Sequence, residues 1–135
     1  VVEETAYVGA TVEKDLSKYT LLVVDDDESL RELVTALFEM KGFKILTAYN
    51  APSALEVLKS NKVELVLSDI RMPGGDGISL LEQIRKTSPY IPVVILITGF
   101  SDFTEKQCIE KGAQKVFTKP FNPRELMNFV ISSLP

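Results

Sequence analysis

Short apolar runs alternate with amphipathic segments along most of this chain. Each run is bounded by polar residues or glycine, which is typical of a strand buried on both faces of a parallel sheet. The runs predict five strands, over residues 21–24, 43–48, 63–67, 93–97 and 115–118. The third run changes abruptly to Ser68-Asp69, and the proline and glycines within residues 73–77 then predict a loop.

The segments between the runs carry apolar residues at the three- and four-residue spacing of a helix with one buried face. In the first segment the recurring residues are Leu30, Leu33, Val34, Leu37 and Phe38, and Gly42 is a typical stop signal. The later segments predict helices from about residue 50 to 61, after Gly77, over about residues 102–111 and from Pro123 onward.

Strand and helix thus alternate five times, which predicts an α/β fold: a doubly wound parallel sheet with helices on both faces. Residues 1–19 have weak periodicity and mixed polarity, and we interpret them as a linker or loosely docked extension. We assign residues 20–135 to one domain, and the apolar content of 45% is enough for a core.

Composition narrows the possible functions. The net charge of −4 argues against a nucleic-acid-binding surface, and no apolar run is long enough to span a membrane. The single Cys108 excludes an intramolecular disulfide and favours a reducing compartment. Histidine is absent, so the commonest general base and the usual zinc ligand are missing. Carboxylates, hydroxyls and amines are left to do any chemistry.

Acidic residues follow two of the predicted strands. Asp25-Asp26-Asp27 comes after the first strand and Asp69 after the third, and the carboxyl ends of parallel strands share one edge of the sheet. Clustered carboxylates repel one another unless a cation joins them, and oxygen ligands without histidine or cysteine favour Mg²⁺. Part of the acidic run can instead cap the following helix, but three aspartates exceed what a cap requires.

Two further strands end at this edge in Thr98 and Lys119. A carboxylate beside a divalent cation can accept a phosphoryl group, and a nearby cation and hydroxyl can stabilise the charge on its oxygens. Taken singly, Thr98 could be a turn residue and Lys119 a solvated strand end. Their arrival at the acidic edge favours phosphoryl transfer.

The motifs at these strand ends resemble those of the receiver domain of two-component response regulators. They are Val23-Val24-Asp25-Asp26, residues 68–73 with Gly77, Ile97-Thr98-Gly99 and Lys119-Pro120-Phe121, in matching order and spacing. The resemblance covers about residues 20–134 and implies a flavodoxin-like strand order, 2-1-3-4-5. It also implies a phosphorelay domain that accepts a phosphoryl group and catalyses only its own phosphorylation and dephosphorylation.

By this resemblance, Asp69 is the phosphoacceptor. Asp26 and Asp69 are expected to bind Mg²⁺ directly, together with the backbone carbonyl of Arg71, and Asp25 mostly through water. Thr98 is expected to hydrogen-bond the phosphoryl group. Lys119 is expected to pair with it, held by a cis bond to Pro120.

One position departs from the pattern of many receivers, which have Tyr or Phe three residues before the lysine. Here that residue is Val116, so switching by an aromatic rotamer is in doubt, and alternation places the neighbouring Phe117 on the opposite face of the sheet. Arg71 and Phe100 stand at positions that vary in the family and are candidates for tuning the phosphoryl lifetime. The alternative is that both merely line the surface.

The expected partners are a histidine kinase or phosphotransfer domain as donor, and an output domain or downstream protein on the face of the fourth helix, fifth strand and fifth helix. The resemblance implies a cytoplasmic domain without nucleic-acid or membrane contact of its own, although its parent chain could be membrane-anchored. The residues before the first strand favour a C-terminal receiver of a hybrid sensor histidine kinase over the receiver of a separate regulator.

Two rival functions stay open on the sequence. A degenerate receiver would bind partners without phosphorylation, which the complete set of acids, threonine and lysine disfavours. A phosphohydrolase of the haloacid dehalogenase kind would need a second aspartate two residues after the nucleophile, where this chain has Arg71.

Overall fold

In the computed structural model, residues 15–99 and 103–135 are described, and they form alternating strands and helices. The strands are β1 (Thr20–Val24), β2 (Lys44–Ala48), β3 (Leu65–Asp69), β4 (Val93–Thr98) and β5 (Lys115–Thr118). The helices are α1 (Glu28–Met40), α2 (Ala51–Ser60), α3 (Gly77–Thr87), α4 (Glu105–Glu110) and α5 (Pro123–Ser133), and a 3₁₀ turn, Leu16–Lys18, precedes β1. Of these helices, none is both long and apolar enough to cross a membrane.

All five strands pair in parallel, in the order β2-β1-β3-β4-β5. The predicted doubly wound sheet and its flavodoxin-like order are therefore confirmed. The chain steps from β1 to β2 on one side and later returns to place β3 on the other side. The strand order thus reverses between β1 and β3, and a crevice for ligands opens outside the carboxyl ends at such a point.

The two faces of the sheet bury separate hydrophobic clusters, because successive side chains of a strand point to opposite faces. One cluster joins residues such as Leu21, Leu67 and Ile95 to α1 and α5. The other joins residues such as Leu22 and Leu96 to α2, α3 and the buried Cys108 of α4. Helices thus cover both faces, and the polar strand ends are left at one edge.

Three predicted details differ from the structure. The third strand begins at Leu65 and not at the predicted Val63. Val63 is buried but unpaired, since apolar character indicates that a residue is buried and not that its backbone pairs with a neighbouring strand. Leu33 is 59% exposed although it continues the apolar spacing of α1. The fourth helix begins at Glu105, because Thr104 caps it and exchanges hydrogen bonds with Gln107. Its predicted start at Asp102 lies outside the described residues.

Candidate functional site

Three aspartates meet at the carboxyl ends of the neighbouring strands β1 and β3. Asp25 directly follows β1, and Asp69 is the last residue of β3. The two strands pair with Val24 opposite Ser68, so the residues that follow lie side by side. One carboxylate oxygen each of Asp25, Asp26 and Asp69 lies within 4.8 Å of the others. The sheet therefore brings together acids that are separated by more than forty positions in the sequence.

Burial and negative charge distinguish Asp25 from an ordinary surface carboxylate. Asp25 is 7% exposed and Asp69 is 9% exposed, whereas Asp26 is exposed to solvent. Burial raises the pKa of the Asp25 carboxyl, and the negative charges of Asp69 and Asp26 raise it further, against a hydrogen bond from Asp27 that lowers it. A cation at this position would offset the crowded charge.

The third aspartate of the acidic run has a structural role. Asp27 is the N-cap of α1, and its Oδ1 accepts a hydrogen bond from the Leu30 N–H at 3.1 Å. Its own N–H donates to Asp25 Oδ1 at 2.9 Å. The run thus divides as the sequence predicts, because one acid caps the helix and the other two face the cluster.

A lysine that directly follows the fifth strand completes the charged set. Lys119 Nζ lies 3.0 Å from Asp69 Oδ2, and the Lys119–Pro120 peptide is cis, as predicted. Burial alone would lower the pKa of Lys119. The hydrogen bond from Lys119 to Asp69 and the negative charges of Asp69, Asp25 and Asp27 outweigh that effect and raise it. Lys119 therefore remains charged beside the acids at neutral pH.

Thr98, at the end of β4, lies beside the lysine. Its carbonyl accepts a hydrogen bond from the Lys119 N–H at 2.8 Å. Its hydroxyl oxygen is buried, and none of the residues within 15–99 and 103–135 forms a hydrogen bond with it. A buried hydroxyl without a partner is costly unless a ligand supplies one. Thr98 Oγ1 therefore fits a site that receives an oxygen-rich group.

The loop after β3 is held tightly against the strand end that carries Asp69. The Gly77 N–H donates to the Ile70 carbonyl at 2.8 Å, and a Cβ on Gly77 would overlap the backbone carbonyl of Asp69. Ser68 Oγ donates to the same carbonyl at 2.8 Å. Gly77 is therefore needed for close approach, a role that its place in a glycine-rich loop did not reveal.

Arg31 was not singled out from the sequence, although it belongs to the same edge. Its Nη1 donates to the backbone carbonyl of Asp25 at 2.7 Å. A helical pattern places Arg31 one turn after the N-cap residue Asp27, on the same side of α1. That spacing was the available signal, but only the fold shows that the side chain turns back toward Asp25.

The remaining predictions from the sequence concern Val116, Phe117, Arg71 and Phe100. Val116 packs with the α2–α3 side of the core, whereas Phe117 packs edge-to-face on Phe129 of α5 with ring centroids 5.7 Å apart. Their predicted placement on opposite faces is confirmed. Arg71 is exposed in the loop after β3. Phe100 lies outside the described residues.

The donor atoms at this edge suit a hard divalent cation. The available ligands are carboxylate oxygens of three aspartates. Asp25 and Asp69 are nine-tenths buried, and the pKa of Asp25 is raised. Mg²⁺ prefers oxygen ligands, takes one or two carboxylates and retains several waters, for which the exposed side of Asp26 leaves access. The cluster therefore fits Mg²⁺ by its chemistry and its solvent access.

Comparison with known sequences agrees with this geometry. A family model for the response regulator receiver domain matches residues 21–131. The CpxR homolog of Haemophilus influenzae, a transcriptional regulatory protein, is 43% identical over 107 residues, which are 79% of this chain and 46% of that protein. The phosphate regulon regulator PhoB of Pseudomonas aeruginosa is 36% identical over 110 residues, which are 80% of this chain and 48% of that protein. The chain spans about half the length of these relatives.

Solved structures show the same likeness. The receiver domain of the Francisella response regulator 1452 is 30% identical, with a TM-score of 0.78 over 85% of this chain and 95% of that one. A chain of the CheX–CheY–BeF3–Mg+2 complex from Borrelia burgdorferi is 30% identical, with a TM-score of 0.78 over 84% of this chain and 87% of that one. Both the fold and the sequence are therefore shared with these structures.

Proposed function

This chain belongs to the response regulator receiver domain family, and from that membership we propose that Asp69 accepts a phosphoryl group from a phosphohistidine donor. The observation that carries the proposal is the convergence of Asp69, two further aspartates and Lys119 at one strand edge, beside a buried hydroxyl without a partner among the described residues. The phosphorylated domain would then switch an output surface of the protein.

Asp69 is suited to act as the nucleophile. A carboxylate oxygen attacks phosphorus while the P–N bond to the donor imidazole breaks, and the imidazole keeps the bonding electron pair. A donor that is protonated on its second nitrogen therefore leaves as neutral imidazole. The sequence contains no histidine, so the donor imidazole comes from another domain or protein.

Receiver domains generally bind Mg²⁺ at an acidic pocket, and Mg²⁺ bound here would offset the negative charge of the acids and of the transferred oxygens. Asp26 and Asp69 are the proposed direct ligands, with Asp25 acting mostly through water. The backbone carbonyl of Arg71 is proposed as a further ligand. The related Borrelia assembly is a complex with both BeF3 and Mg+2, which supports testing the same pair here.

Thr98 and Lys119 are proposed to hold the transferred group. Lys119 already lies 3.0 Å from one Asp69 oxygen, so it is placed to meet a phosphoryl oxygen on the same side. The Thr98 hydroxyl would gain the hydrogen-bond partner that no described residue supplies. Both contacts strengthen as negative charge accumulates, which is the condition for transition-state stabilisation.

The face formed by α4, β5 and α5 is the proposed output surface. The helix α4 has only six residues. Phe103, just before it, is 37% exposed, and Ile109, within it, is 45% exposed. Lys115 of β5 lies 3.5 Å from Glu105 of α4. Because Cys108 is the buried residue of this six-residue helix, a small change in relative stability would shift its position.

The whole protein's activity is proposed by analogy. The regulators that this chain resembles extend to about twice the matched length, so an output function attached to the receiver is consistent with the comparison. Both parent proteins considered from the sequence, a regulator and a hybrid histidine kinase, would use the domain in the same way. Determining the full-length gene distinguishes them.

Binding of fluoroberyllate tests the proposed site without any kinase. We expect amide resonances of Asp69, Thr98 and Lys119 to shift in two-dimensional NMR spectra when beryllium and fluoride are added to the Mg²⁺-saturated protein, and to stay unchanged when they are added without Mg²⁺. Asp69→Asn should abolish the shifts, whereas Glu39→Gln, an equal charge change on an exposed part of α1, should not. An unchanged wild-type spectrum would count against phosphoacceptor function and favour a degenerate binding module.

A further inference from the structure

The carbonyl of Asp25 stands where the sheet stops pairing. The Asp25 N–H donates to the Ala48 carbonyl at 3.1 Å, and Ala48 is the last residue of β2. In a parallel ladder, the Asp25 carbonyl would next accept from the N–H of Asn50. That N–H donates instead to Ser53 Oγ at 3.1 Å, as part of the cap of α2. The ladder therefore offers this carbonyl no donor among the described residues.

Arg31 takes the place of the missing donor. Its side chain reaches back from the second turn of α1, and Nη1 lies 2.7 Å from the Asp25 carbonyl oxygen. The guanidinium is partly buried in a cleft between α1 and β2, which also contains Glu32 and Glu39. A short, charge-assisted hydrogen bond of this kind is stronger than one between neutral groups.

The peptide held by Arg31 joins Asp25 and Asp26, two of the three acids in the carboxylate cluster. Its carbonyl belongs to Asp25 and its nitrogen to Asp26, so the orientation of the peptide plane sets the direction in which Asp26 leaves the strand. The other groups nearby are already fixed, since Asp25 Oδ1 accepts from Asp27 and Asp27 caps α1. The hydrogen bond from Arg31 to the Asp25 carbonyl restrains this peptide from the side of α1.

We propose that Arg31 is a positioning residue for the divalent cation: it aligns the Asp25–Asp26 peptide so that the Asp26 carboxylate faces Asp25 and Asp69. The inference rests on the proposed function, because it takes Mg²⁺ as the ion that the acids hold. Groups that bind the ligands of a metal can orient those ligands without contacting the metal themselves. Arg31 contacts a backbone carbonyl and is not itself a ligand.

Two effects of Arg31 on Mg²⁺ binding have opposite signs, which makes the inference testable. As a nearby positive charge, Arg31 would weaken binding, and its removal would strengthen it. As a positioning residue it strengthens binding, and its removal weakens it. Arg31→Met keeps much of the apolar stem but removes both charge and donor, whereas Arg31→Lys keeps the charge and one donor of nearly the same reach.

The experiment is calorimetric titration of the metal-free proteins with Mg²⁺, in the absence of any phosphodonor. We expect Arg31→Met to weaken Mg²⁺ binding about tenfold, the lower end of the effect of losing a group that orients a metal ligand. Arg31→Lys should restore most of the loss. Lys41→Met, the same charge change at the other end of α1, should bind as the wild type does. The amide resonances of Asp26 and Asp27 should also move in metal-free Arg31→Met but not in Lys41→Met.

Equal or tighter Mg²⁺ binding by Arg31→Met would overturn the inference. If that variant is unfolded, Arg31→Gln, which is neutral and too short to reach the carbonyl, is expected to show the same weakening, and its absence would overturn the inference equally. A different result would contradict the proposed function: a wild-type protein that binds Mg²⁺ but takes up no phosphoryl group. In that case the affinities of the Arg31 variants still decide the positioning role.

Discussion

Lys119 Nζ lies 3.0 Å from Asp69 Oδ2, although Asp69 ends β3 and Lys119 follows β5, two strands that do not pair with each other. β4 separates β3 from β5, so the lysine side chain spans a neighbouring strand to reach the acid. This contact places a positive charge beside Asp69, whose carboxylate also lies within 4.8 Å of those of Asp25 and Asp26. A phosphoryl group on Asp69 would therefore have both the lysine and the proposed Mg²⁺ ligands beside it.

Replacing Lys119 by methionine should slow phosphorylation of Asp69. The variant keeps the apolar stem but loses the charge that stabilises the transferring oxygens, and the loss of one such donor typically costs about 100-fold in rate. The measurement is the rate of phosphoryl uptake from acetyl phosphate, followed by mass spectrometry at saturating Mg²⁺. Lys111→Met is a matched control, because Lys111 pairs with Glu82 away from the acids.

An uptake rate of Lys119→Met within about threefold of the wild type would contradict the role proposed for the lysine. The pKa of Lys119 is raised above the ordinary value of 10.5, so its charge is fully present below that value and is lost as the pH rises through the raised pKa. In the metal-free protein, Lys119 should therefore keep its positive charge from neutral pH to about pH 9.

The Thr98 hydroxyl should matter for the bound state far more than for the free protein. Thr98→Val keeps the shape of the side chain and removes a buried oxygen that has no described partner, so the free energy of unfolding should stay the same or rise. Fluoroberyllate affinity should fall about tenfold or more, the effect of one hydrogen bond to a charged group. Thr98→Ser should retain most of the affinity. Equal affinity of the valine variant would exclude the proposed contact.

Asp25→Asn should stabilise the metal-free protein at neutral pH. Asn keeps the oxygen that accepts from the Asp27 N–H, while the buried negative charge beside Asp69 is removed. We expect an increase in Tm of about 3 °C, which corresponds to about 1 kcal/mol in a domain of this size. Glu110→Gln, which removes the same charge from an exposed position of α4, controls for net charge.

The gain should depend on pH with a definite sign. The pKa of Asp25 is raised in the folded protein above the ordinary 3.8, so the folded state binds this proton more tightly than the unfolded chain does. Wild-type stability is therefore lost as the pH rises from the ordinary value through the raised one, and the advantage of Asp25→Asn grows over the same interval. Unfolding curves in chelator from pH 4 to pH 8 would measure this; a constant or shrinking advantage would contradict it.

Gly77 should tolerate no side chain. Gly77→Ala places a Cβ against the carbonyl of Asp69, and relief requires movement of the strand end or of the loop. Overpacking of this kind typically costs about 1–3 kcal/mol in the free energy of unfolding. Gly99→Ala is the matched control, because its Cβ would meet the Lys119 side chain at an ordinary 3.8 Å. Equal urea midpoints for the two variants would show that the loop can move away freely.

Much of this site could be predicted from the sequence because strand ends are easy to locate in a parallel α/β fold. Each buried strand ends where apolar residues give way to Asp25, Asp69, Thr98 or Lys119, and topology places those ends at one edge. The strand order itself came from the resemblance to receivers, because alternation of strands and helices permits more than one order.

The features that were missed depend on distances that periodicity does not report. Arg31 looked like an ordinary polar residue of α1, and only the end of β2 at Ala48 leaves the Asp25 carbonyl for it to bind. Leu33 continues the apolar spacing of α1 but is largely exposed to solvent. The start of α4 depended on the capping box of Thr104 and Gln107, a local signal that outweighs apolar spacing in a helix of six residues.

Intact mass after incubation with acetyl phosphate and Mg²⁺ tests the central claim most directly. We predict one added phosphoryl group on the wild-type protein, none on Asp69→Asn, and none on the wild type when Mg²⁺ is removed by a chelator. Peptide mapping should place the group on Asp69. The same adduct on Asp69→Asn would contradict the assignment of the acceptor. A wild-type protein that gains no mass under conditions where Mg²⁺ binds would contradict the phosphoacceptor function itself.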